Sequence, residues 1–518
     1  MKKNYRLISL VSLIPLLLTS CGQNKGYSYN KNVTNENGSA SYEIFVRSFY
    51  DHDGDGVGDF LGIKDKMSYL SDLGVKTLWL LPIHKSPTYH GYDVDDYYSV
   101  CPEYGTLADF DAMVEEANKH NIDIMIDMVL NHTSTNNQWF RDSYQDFITN
   151  NTSPTSKQYW YNWRDTASSG YSKMSNNAYY EAQFNSSMPD LNYDCQAVKD
   201  EIDNIFKFWI QDHGVKGFRL DAVKYYYYGN TEKNVQILDY LMDTARKYDE
   251  NFYMVGEDWE NDSLTLNYHK SKVQSFFRFS FTSIFINTSK GYGKADDYVK
   301  EMLRYNNSLK ENNANGYASY FLSNHDQNRP TFSKVEQAKL AASLLLLTPG
   351  TPWIYYGEEI QMKGYRNSES EGSDVKRRLP MVWSKDDKTG ECAFPEKSRK
   401  DLDTTEQVEE GVDDALKQPR SLVNHYKKVI NARNAFPFVK DADVISLLDE
   451  CGDESNKVIA YELKKGNDYV KIYTNLTDED KVVTTTGKIV DQIDTMGKKS
   501  KLSGTSLTIA PYSTVLVQ

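Results

Sequence analysis

The strongest constraint on the fold is an alternation of short apolar segments and amphipathic helices along most of the 518 residues. Eight segments have the length and composition of buried strands. The predicted strands are Tyr42–Phe49, Thr77–Leu81, Ile122–Val129, the first half of Gly217–Tyr225, Phe252–Gly256, Val273–Phe279, Tyr317–Leu322 and Trp353–Tyr356. Repeated strand-then-helix units predict an α/β fold, specifically a (β/α)8 barrel. A doubly wound open sheet is the alternative, and the lack of a Gly-rich phosphate loop after the first strand disfavours it.

The helical segments that separate these strands share apolar residues three and four positions apart. The predicted helices are Lys64–Leu73, Ala108–His120, Val198–Ile210, Thr231–Tyr248, Ala295–Leu309 and Val335–Leu347.

Two stretches interrupt the alternation. Residues 133–187 are rich in Asn, Ser, Tyr and Trp, and they are too long for a simple loop, so they predict a small domain inserted after the third strand. After Pro437 the pattern is of strands without helices, at Val458–Leu463, Asp468–Thr474, Lys481–Thr486 and Ser506–Val517. This predicts a C-terminal antiparallel β-sandwich over residues 438–518, which leaves residues 41–132 and 188–437 for the barrel.

The N-terminus has the pattern of an export signal. Lys2, Lys3 and Arg6 precede an apolar run, Leu7–Leu18, that is too short to span a bilayer. Residues 1–20 are therefore predicted to be a signal peptide, and residues 21–40, rich in Asn, Gly, Ser and Lys, a flexible tether. The segment ending in Cys21 resembles a bacterial lipoprotein signal. That resemblance implies lipidation of Cys21 and an exported protein anchored to the cell envelope by lipid; a plain secretory signal is the alternative.

Charge and cysteine content narrow the function classes. The net charge is −14 and no basic run is present, which argues against nucleic acid or an anionic membrane face as a partner. The cysteines after Cys21 lack the spacing of metal ligands, so the sequence assigns them no chemistry. They are Cys101, Cys195, Cys392 and Cys451.

Charged and polar residues cluster where the predicted strands end. In a (β/α)8 barrel the active site is built at these ends. The segments are Tyr89–Asp93 after the second strand, Asp127–His132 at the third, Arg219 and Asp221 at the fourth, Glu257–Trp259 at the fifth and Asn324–Asp326 at the seventh. Each segment alone is consistent with a helix cap, a solvated loop acid or a buried salt bridge. Their coincidence at one rim predicts an active site.

These segments resemble the signature segments of the α-amylase family of glycoside hydrolases over about Ser41–Gln518, nearly the whole chain after the signal. The resemblance implies a (β/α)8 barrel, a domain inserted after the third strand and a C-terminal β-sandwich. It implies that Asp221 is the nucleophile, Glu257 the general acid and base, and Asp326 the third carboxylate. The substrate-binding residues that it implies are Tyr92, His132, Arg219, Lys224, His325, Asp374 and Arg378.

The chemistry of acetal cleavage agrees with this assignment. A retaining double displacement needs an ionised carboxylate and a protonated acid about 5–5.5 Å apart. Neighbouring strands are about 4.8 Å apart, so Asp221 and Glu257 on the fourth and fifth strands are placed to meet that distance. Arg219 is expected to keep Asp221 ionised, and nearby carboxylates to raise the pKa of Glu257.

An acidic loop follows the first strand and predicts a metal site. Its acids lie at the first, third, fifth and ninth positions of Asp51–Asp59, and such a concentration of negative charge favours a cation. The predicted Ca²⁺ ligands are Asp51, Asp53, Asp55, the Val57 carbonyl and Asp59; a solvated acidic turn is the alternative. Asn131 resembles a second calcium ligand of many amylases, but the insertion shows no matching set.

The subtype is set by smaller departures from the family pattern. Tyr89 stands where exo-acting glucosidases have an acid, which favours an open cleft and endo-hydrolysis of α-1,4-glucosidic bonds in starch and maltooligosaccharides. A neopullulanase, cyclomaltodextrinase or 4-α-glucanotransferase on the same scaffold is the nearest alternative, and a non-catalytic glucan-binding lipoprotein is the alternative of a different class. Residues Tyr225–Tyr228 are open between a stacking platform and core packing. The protein is expected to be a monomer.

Overall fold

A computed structural model describes residues 39–313, 315–366, 374–394 and 408–518. The predicted signal peptide and Cys21 lie outside the described residues, as do most of the tether and residues 395–407. Among the described residues, no helix has both the length and the apolar character needed to cross a membrane.

Eight parallel strands close into a barrel, as the sequence predicts. They are β1 Ser41–Ile44, β2 Thr77–Leu80, β3 Asp123–Met128, β4 Gly217–Leu220, β5 Tyr253–Gly256, β6 Ser275–Phe277, β7 Tyr317–Phe321 and β8 Thr351–Tyr355. Each strand pairs with its neighbour in the chain, and β1 closes the ring on β8 with Ser41 opposite Trp353. The open-sheet alternative is therefore wrong. Because all strands are parallel, their carboxyl ends lie on one face of the barrel.

The helices are α1 Phe60–Asp65, α2 Met67–Leu73, α3 Leu107–Lys119, α4 Gln138–Ile148, α5 Gln196–Phe206, α6 Thr231–Arg246, α7 Asp262–Tyr268, α8 Thr282–Ser289, α9 Ala295–Asn312, α10 Val335–Leu347, α11 Val412–Lys417 and α12 Leu422–Asn434. They cover the outer face of the barrel, with the exception of α4, which belongs to the region between β3 and β4. The helix α3 shows how sequence sets these elements. Thr106 and Asp109 form a capping box at its start, and its buried residues recur at helical spacing.

Several predicted boundaries are wrong for local reasons. The first strand stops at Ile44, and a 3₁₀ turn, Val46–Ser48, replaces its second half. The predicted helix Lys64–Leu73 is two helices, because Asp59 caps α1 from the amino side and the chain bends at Lys66. After α5 the chain continues as a π-helical segment, Lys207–Asp212.

Aromatic side chains fill the barrel interior beneath the carboxyl ends of the strands. Trp79 from β2 lies 5.6 Å from Phe277 of β6 and 5.6 Å from Trp353 of β8, measured between ring centroids. Residues from widely separated strands meet only in the interior, so these rings close the barrel and form a rigid floor.

The region between β3 and β4 contains α4 and a three-stranded sheet of Trp163–Arg164, Tyr171–Ser175 and Ala178–Glu181. Its own small core includes Phe140, which stacks on Trp163 at 5.4 Å. His132 and Asp190 pair at the base of this region through an isolated bridge, which brings its two ends back to the barrel together.

The C-terminal part is a sandwich of antiparallel sheets. Its strands are β9 Asp443–Ser446, β10 Val458–Lys465, β11 Asp468–Asn475, β12 Lys481–Thr484, β13 Ile489–Ile493, β14 Lys501–Ser503, β15 Ser506–Ile509 and β16 Thr514–Val517. One sheet has the order β9-β10-β11-β16-β13 and the other β12-β15-β14. The predicted strand Ser506–Val517 is wrong: it is two strands, because Pro511 and the positive φ of Tyr512 turn the chain.

Candidate active site

The carboxyl ends of β3, β4, β5 and β7 deliver charged residues to one cavity of about 390 Å³. All three acids predicted to act on substrate, Asp221, Glu257 and Asp326, line it. Gly256 pairs with Leu220 in the β4–β5 ladder, so the next residues, Glu257 and Asp221, lie at the same level on neighbouring strands. Their backbones are therefore about one strand spacing apart, near 4.8 Å.

Arg219 is the central cation of the site. One of its nitrogens, Nη1, lies 2.9 Å from Asp127 Oδ1 and 2.5 Å from Asp221 Oδ1, and Nη2 lies 3.7 Å from Glu257 Oε2. The guanidinium is buried above the Trp79 ring, 5.3 Å from its centroid. A buried cation with paired carboxylates fixes the orientation of Asp221.

Glu257 is held by a strained turn. Ala222 has a left-handed backbone, with φ 51° and ψ 39°, a conformation that costs a non-glycine residue on the order of 1 kcal/mol or more. In this conformation its N–H donates to Glu257 Oε2 at 2.9 Å. Burial, together with the charges of Asp221 and Asp326, raises the pKa of Glu257 to about 7 despite Arg219. Glu257 is therefore suited to hold a proton near neutral pH.

A contiguous group that we call the charged wall consists of Tyr92, His325, Asp326 and Arg378. His325 Nε2 lies 2.7 Å from the Tyr92 hydroxyl and 2.9 Å from Asp326 Oδ2. Arg378 Nη2 donates to Asp326 Oδ1 at 3.0 Å. Although burial acts to raise it, the positive charges of His325 and Arg378 hold the pKa of Asp326 well below its usual range. In the pH range in which Glu257 is protonated, Asp326 is therefore ionised.

Glu43 supports the charged wall from below and is a residue that the sequence reasoning missed. Its Oε1 lies 2.6 Å from His325 Nδ1, and both side chains are fully buried. Burial acts to lower the pKa of His325, but Asp326 and Glu43 outweigh that effect and raise it to about 9. The two residues are far apart in the chain, and no local pattern links them.

The remaining predicted substrate residues lie around the cavity. The Tyr92 hydroxyl donates to Asp127 Oδ2 at 3.0 Å, and its backbone carbonyl lies 3.2 Å from His132 Nε2. Burial lowers the pKa of His132, which favours the neutral imidazole. Asp374 lies further out, 2.8 Å from Arg377 and 3.7 Å from Arg378 Nη2.

A second contiguous group, the aromatic wall, consists of Phe184, Lys224, Tyr225 and Trp259, all of which line the cavity. The Phe184 and Tyr225 rings are 4.4 Å apart. Lys224 Nζ donates to the Trp259 carbonyl at 3.1 Å and pairs with Glu260 at 3.2 Å. Phe184 and Trp259 carry no role in the sequence reasoning; Phe184 comes from the irregular region after β3, where spacing gives no orientation.

The acidic loop before α1 brings part of the predicted metal set together. One carboxylate oxygen from each of Asp51, Asp53 and Asp59 lies within 4.8 Å of the other two. Asp51 and Asp59 are buried, and burial raises the pKa of Asp59. Asp55 is not part of this group, and its Oδ1 accepts the Val57 N–H at 2.7 Å. Three convergent carboxylates, two of them buried, fit a hard cation such as Ca²⁺.

Asn131 has a neighbouring acid that the sequence reasoning did not pair with it. Its Nδ2 donates to Asp190 Oδ1 at 3.0 Å, and burial raises the pKa of Asp190 to about 7. Asn131 Oδ1 is buried without a hydrogen-bond partner. The four cysteines in the described residues are free thiols.

Comparison with known proteins agrees with this geometry. The family model "Alpha amylase, catalytic domain" matches residues 43–442. Alpha-amylase 3 of Dictyoglomus thermophilum is 34% identical over 482 residues, which cover 92% of each chain. Oligo-1,6-glucosidase of Parageobacillus thermoglucosidasius is 29% identical over 523 residues, covering 85% of this chain and 90% of that protein.

Solved structures give the same result. The Eubacterium rectale Amy13B structure superposes with a TM-score of 0.86 at 32% identity, covering 94% of this chain and 97% of that one. The structure of an alpha-amylase from H. orenii has a TM-score of 0.80 at 31% identity and covers 93% and 99% of the two chains. Together with a closed barrel whose strand ends carry three carboxylates in one cavity, these matches show that the chain is a glycoside hydrolase of the α-amylase family.

Proposed function

We propose that this glycoside hydrolase cleaves internal α-1,4-glucosidic bonds of starch and maltooligosaccharides and retains the α configuration. The observation that carries the proposal is the placement of Asp221 and Glu257 at one level of adjacent strands, both facing the same cavity. A strand spacing of about 4.8 Å brings the two backbones close enough for their carboxyl groups to reach the roughly 5–5.5 Å separation of retaining enzymes, rather than the roughly 6.5–9.5 Å of inverting ones.

In the first step, Asp221 attacks the anomeric carbon while Glu257 gives its proton to the leaving oxygen. The bond from that carbon to the leaving oxygen breaks, and a glucosyl ester of Asp221 forms. In the second step Glu257, now ionised, takes a proton from water, and the water oxygen displaces Asp221. Each residue has the environment that its role needs: Arg219 contacts Asp221 at 2.5 Å, and burial raises the pKa of Glu257 to about 7, so that a large fraction of it holds a proton near neutral pH.

Asp326 would bind sugar hydroxyls as an acceptor. The positive charges beside it hold its pKa low, so it stays ionised through the cycle. A fixed negative charge near the anomeric carbon also stabilises the positive charge that develops there. Tyr92 offers an apolar ring at the same place.

Internal cleavage is supported by the residue at position 89. Tyr89 carries an aromatic ring packed on Phe45 at 5.2 Å, so no carboxylate stands there to end the cleft. An open cleft would let a longer glucan extend beyond the attacked sugar.

The proposal is tested by the products from soluble starch, pullulan and cyclodextrin. Internal α-1,4 cleavage gives a mixture of maltooligosaccharides from starch, and the first product has the α configuration by NMR. A β anomer formed first would contradict the double displacement. Because some relatives are oligo-1,6-glucosidases, a second candidate is α-1,6 cleavage; maltotriose from pullulan or glucose from isomaltose would favour it.

We also propose that Ca²⁺ occupies the acidic loop, with Asp51, Asp53 and Asp59 as ligands. The ion would neutralise carboxylates that otherwise repel each other beside α1, and it would act on stability rather than on the bond broken. Chelation should lower Tm, and added Ca²⁺ should restore it. An unchanged Tm after exhaustive chelation would contradict this site.

Finally, we propose an exported monomer held at the cell envelope by lipid on Cys21. The support is the charged start, apolar run and cysteine of the N-terminal sequence. A Cys21→Ser variant should lose incorporation of labelled fatty acid and leave the membrane fraction. Retention of both would contradict the anchor, and a mass other than one chain in solution would contradict the monomer.

A further inference from the structure

A second cavity lies at the opposite end of the barrel from the catalytic one. Its volume is about 520 Å³, and its lining includes Asp123, Tyr253 and Tyr317, which are the first residues of β3, β5 and β7. Lys216 comes just before β4 and lines this cavity, whereas Asp221 comes just after β4 and lines the catalytic one. A strand rises about 3.3 Å per residue, so roughly 16 Å of strand separates the two cavities. We call the second one the basal cavity.

Part of the lining of the basal cavity is a pair of tyrosines held in place. The Tyr253 and Tyr317 rings are parallel to within 2°, with their centroids 6.4 Å apart, and Tyr253 is partly exposed. The side chain of Gln274 holds the backbone on both sides of Tyr253, because it donates to the Phe252 carbonyl at 2.8 Å and accepts the Met254 N–H at 3.0 Å. Rings that are already fixed offer an apolar surface to a ligand without a further cost of ordering.

Other parts of the lining carry hydrogen-bonding groups that the protein itself does not use. Lys216 and Asp249 pair with each other at 3.0 Å, but four exposed side chains form no hydrogen bond or ion pair with other residues of the described chain. They are Arg246, Glu250, Asn251 and Asn315. A guanidinium only donates hydrogen bonds, a carboxylate only accepts them, and an amide does both. The basal cavity therefore presents donors and acceptors together.

These groups indicate the chemical class of the ligand. Arg246 and Glu250 carry opposite charges, so a small ion of either sign would be attracted by one and repelled by the other. A sugar hydroxyl both donates and accepts hydrogen bonds, and a pyranose ring has apolar carbon–hydrogen faces that suit the tyrosine pair. The volume also lies within the roughly 300–1,000 Å³ of small-molecule sites. An oligosaccharide therefore matches the lining better than an ion does.

We propose that the basal cavity is a non-catalytic binding site for a second segment of α-glucan. This inference rests on the proposed function, which supplies the polymer. Because the two cavities lie at opposite ends of the barrel, the segment bound here is not the one that is cut. A second contact with the same polymer raises the effective concentration of the enzyme at its surface. The basal cavity therefore affects binding to starch but not the cleavage of a short oligosaccharide, which occupies one cavity at a time.

Calorimetric titration with maltoheptaose counts the sites, and it uses the Asp221→Asn variant so that the ligand is not consumed. This parent protein is expected to bind two molecules of maltoheptaose per chain. Adding Arg246→Ala and Asn251→Ala should lower the number to one, because both side chains are exposed and make no contact that the fold needs. One molecule bound to the parent, or two bound to both proteins, would overturn the proposal.

Adsorption to starch granules tests the same site in the active enzyme. The Arg246→Ala/Asn251→Ala variant should keep the wild-type kcat/KM on maltoheptaose, which also reports an intact fold, while its adsorption falls roughly threefold to tenfold. Arg420→Ala is the matched control, because Arg420 is an exposed arginine that lines neither cavity, and it should adsorb like the wild type. Wild-type adsorption by the double variant would overturn the proposal. If the proposed function itself were wrong, the wild type would release no maltooligosaccharides from starch, so the two failures are distinguishable.

Discussion

The two walls of the catalytic cavity are built on different principles. The cations of the charged wall are buried: the side chains of His325 and Arg378 are 0% and 3% exposed, and both pair with Asp326, at 2.9 and 3.0 Å, whose own side chain is 31% exposed. Glu43 holds His325 from the other side at 2.6 Å. The aromatic wall is partly exposed, and its one cation, Lys224, makes a pair with Glu260 in which both side chains are accessible to water. Burial of the two cations strengthens the ion pairs of the charged wall, and water weakens the ion pair of Lys224.

This difference suits two tasks. The sugar that is attacked must be held in one orientation while charge develops on it, which needs fixed dipoles and charges. The leaving segment varies in length and must depart after the first step, which suits shallow contacts with rings. The same cavity would thus combine rigid recognition of one sugar with weaker recognition of its neighbours.

Replacing the nucleophile should have the largest effect. Asp221→Asn keeps the volume and removes the negative charge that must attack the anomeric carbon. We expect kcat/KM on starch to fall by roughly 10⁴-fold or more. Binding of maltoheptaose, measured by calorimetry, should persist, because both walls are intact. A variant that still hydrolyses starch at more than about 1% of the wild-type rate would contradict the role of Asp221.

A matched pair of substitutions compares the walls directly. Arg378→Met removes a buried cation that lies 3.0 Å from the partly exposed Asp326, and the cost lies between that of an exposed pair, about 1 kcal/mol or less, and that of a fully buried pair, about 3–5 kcal/mol. We expect a loss of kcat/KM of roughly 100-fold or more and a lower Tm. Lys224→Met breaks a partly exposed pair worth about 1 kcal/mol or less, so the loss should stay below roughly tenfold. Equal losses from both variants would remove the contrast.

The pH dependence should reflect Glu257. Burial and the carboxylates around it raise its pKa to about 7, and the first step needs its proton. kcat/KM should therefore fall as pH rises above about 7, approaching tenfold per pH unit. A steady rate up to pH 9 would show that Glu257 does not supply the proton. The Glu257→Gln variant offers the control, because this descending limb should disappear from whatever activity remains.

The features of the fold that could be predicted from the sequence are those set by residues close together in the chain. Asp221 and Glu257 directly follow β4 and β5, and Asp326 lies five residues after β7, so their convergence follows from the barrel. The split of the helix at Lys66 and the turn at Tyr512 depend on single backbone conformations, which composition does not specify. Boundaries were therefore less predictable than the order of elements.

The parts of the site that sequence missed are long-range. Glu43 lies 282 positions from His325, and nothing in the Ser41–Ile44 strand distinguishes an acid that supports a histidine from one that faces solvent. Phe184 lies in a region without regular spacing, so its direction could not be inferred. Asp53 and Asp55 are two positions apart in the same acidic loop, but only Asp53 has a carboxylate oxygen near those of Asp51 and Asp59. This difference depends on local backbone turns.

The smallest predicted effect tests whether Glu43 supports the charged wall. The pKa of His325 in the folded protein is about 9, above its ordinary value of about 6.5. A raised pKa contributes stability that is complete below about pH 6.5 and is lost as pH rises through about 9. Glu43→Gln removes one charged partner of the imidazolium, so it should cost about 2 kcal/mol at pH 6. That cost should shrink above pH 9, where His325 is neutral in both proteins.

Denaturant unfolding at pH 6 and pH 9.5 measures both values. A cost that is the same at the two pH values would mean that Glu43 acts through packing alone, and that the charged wall does not depend on a protonated His325.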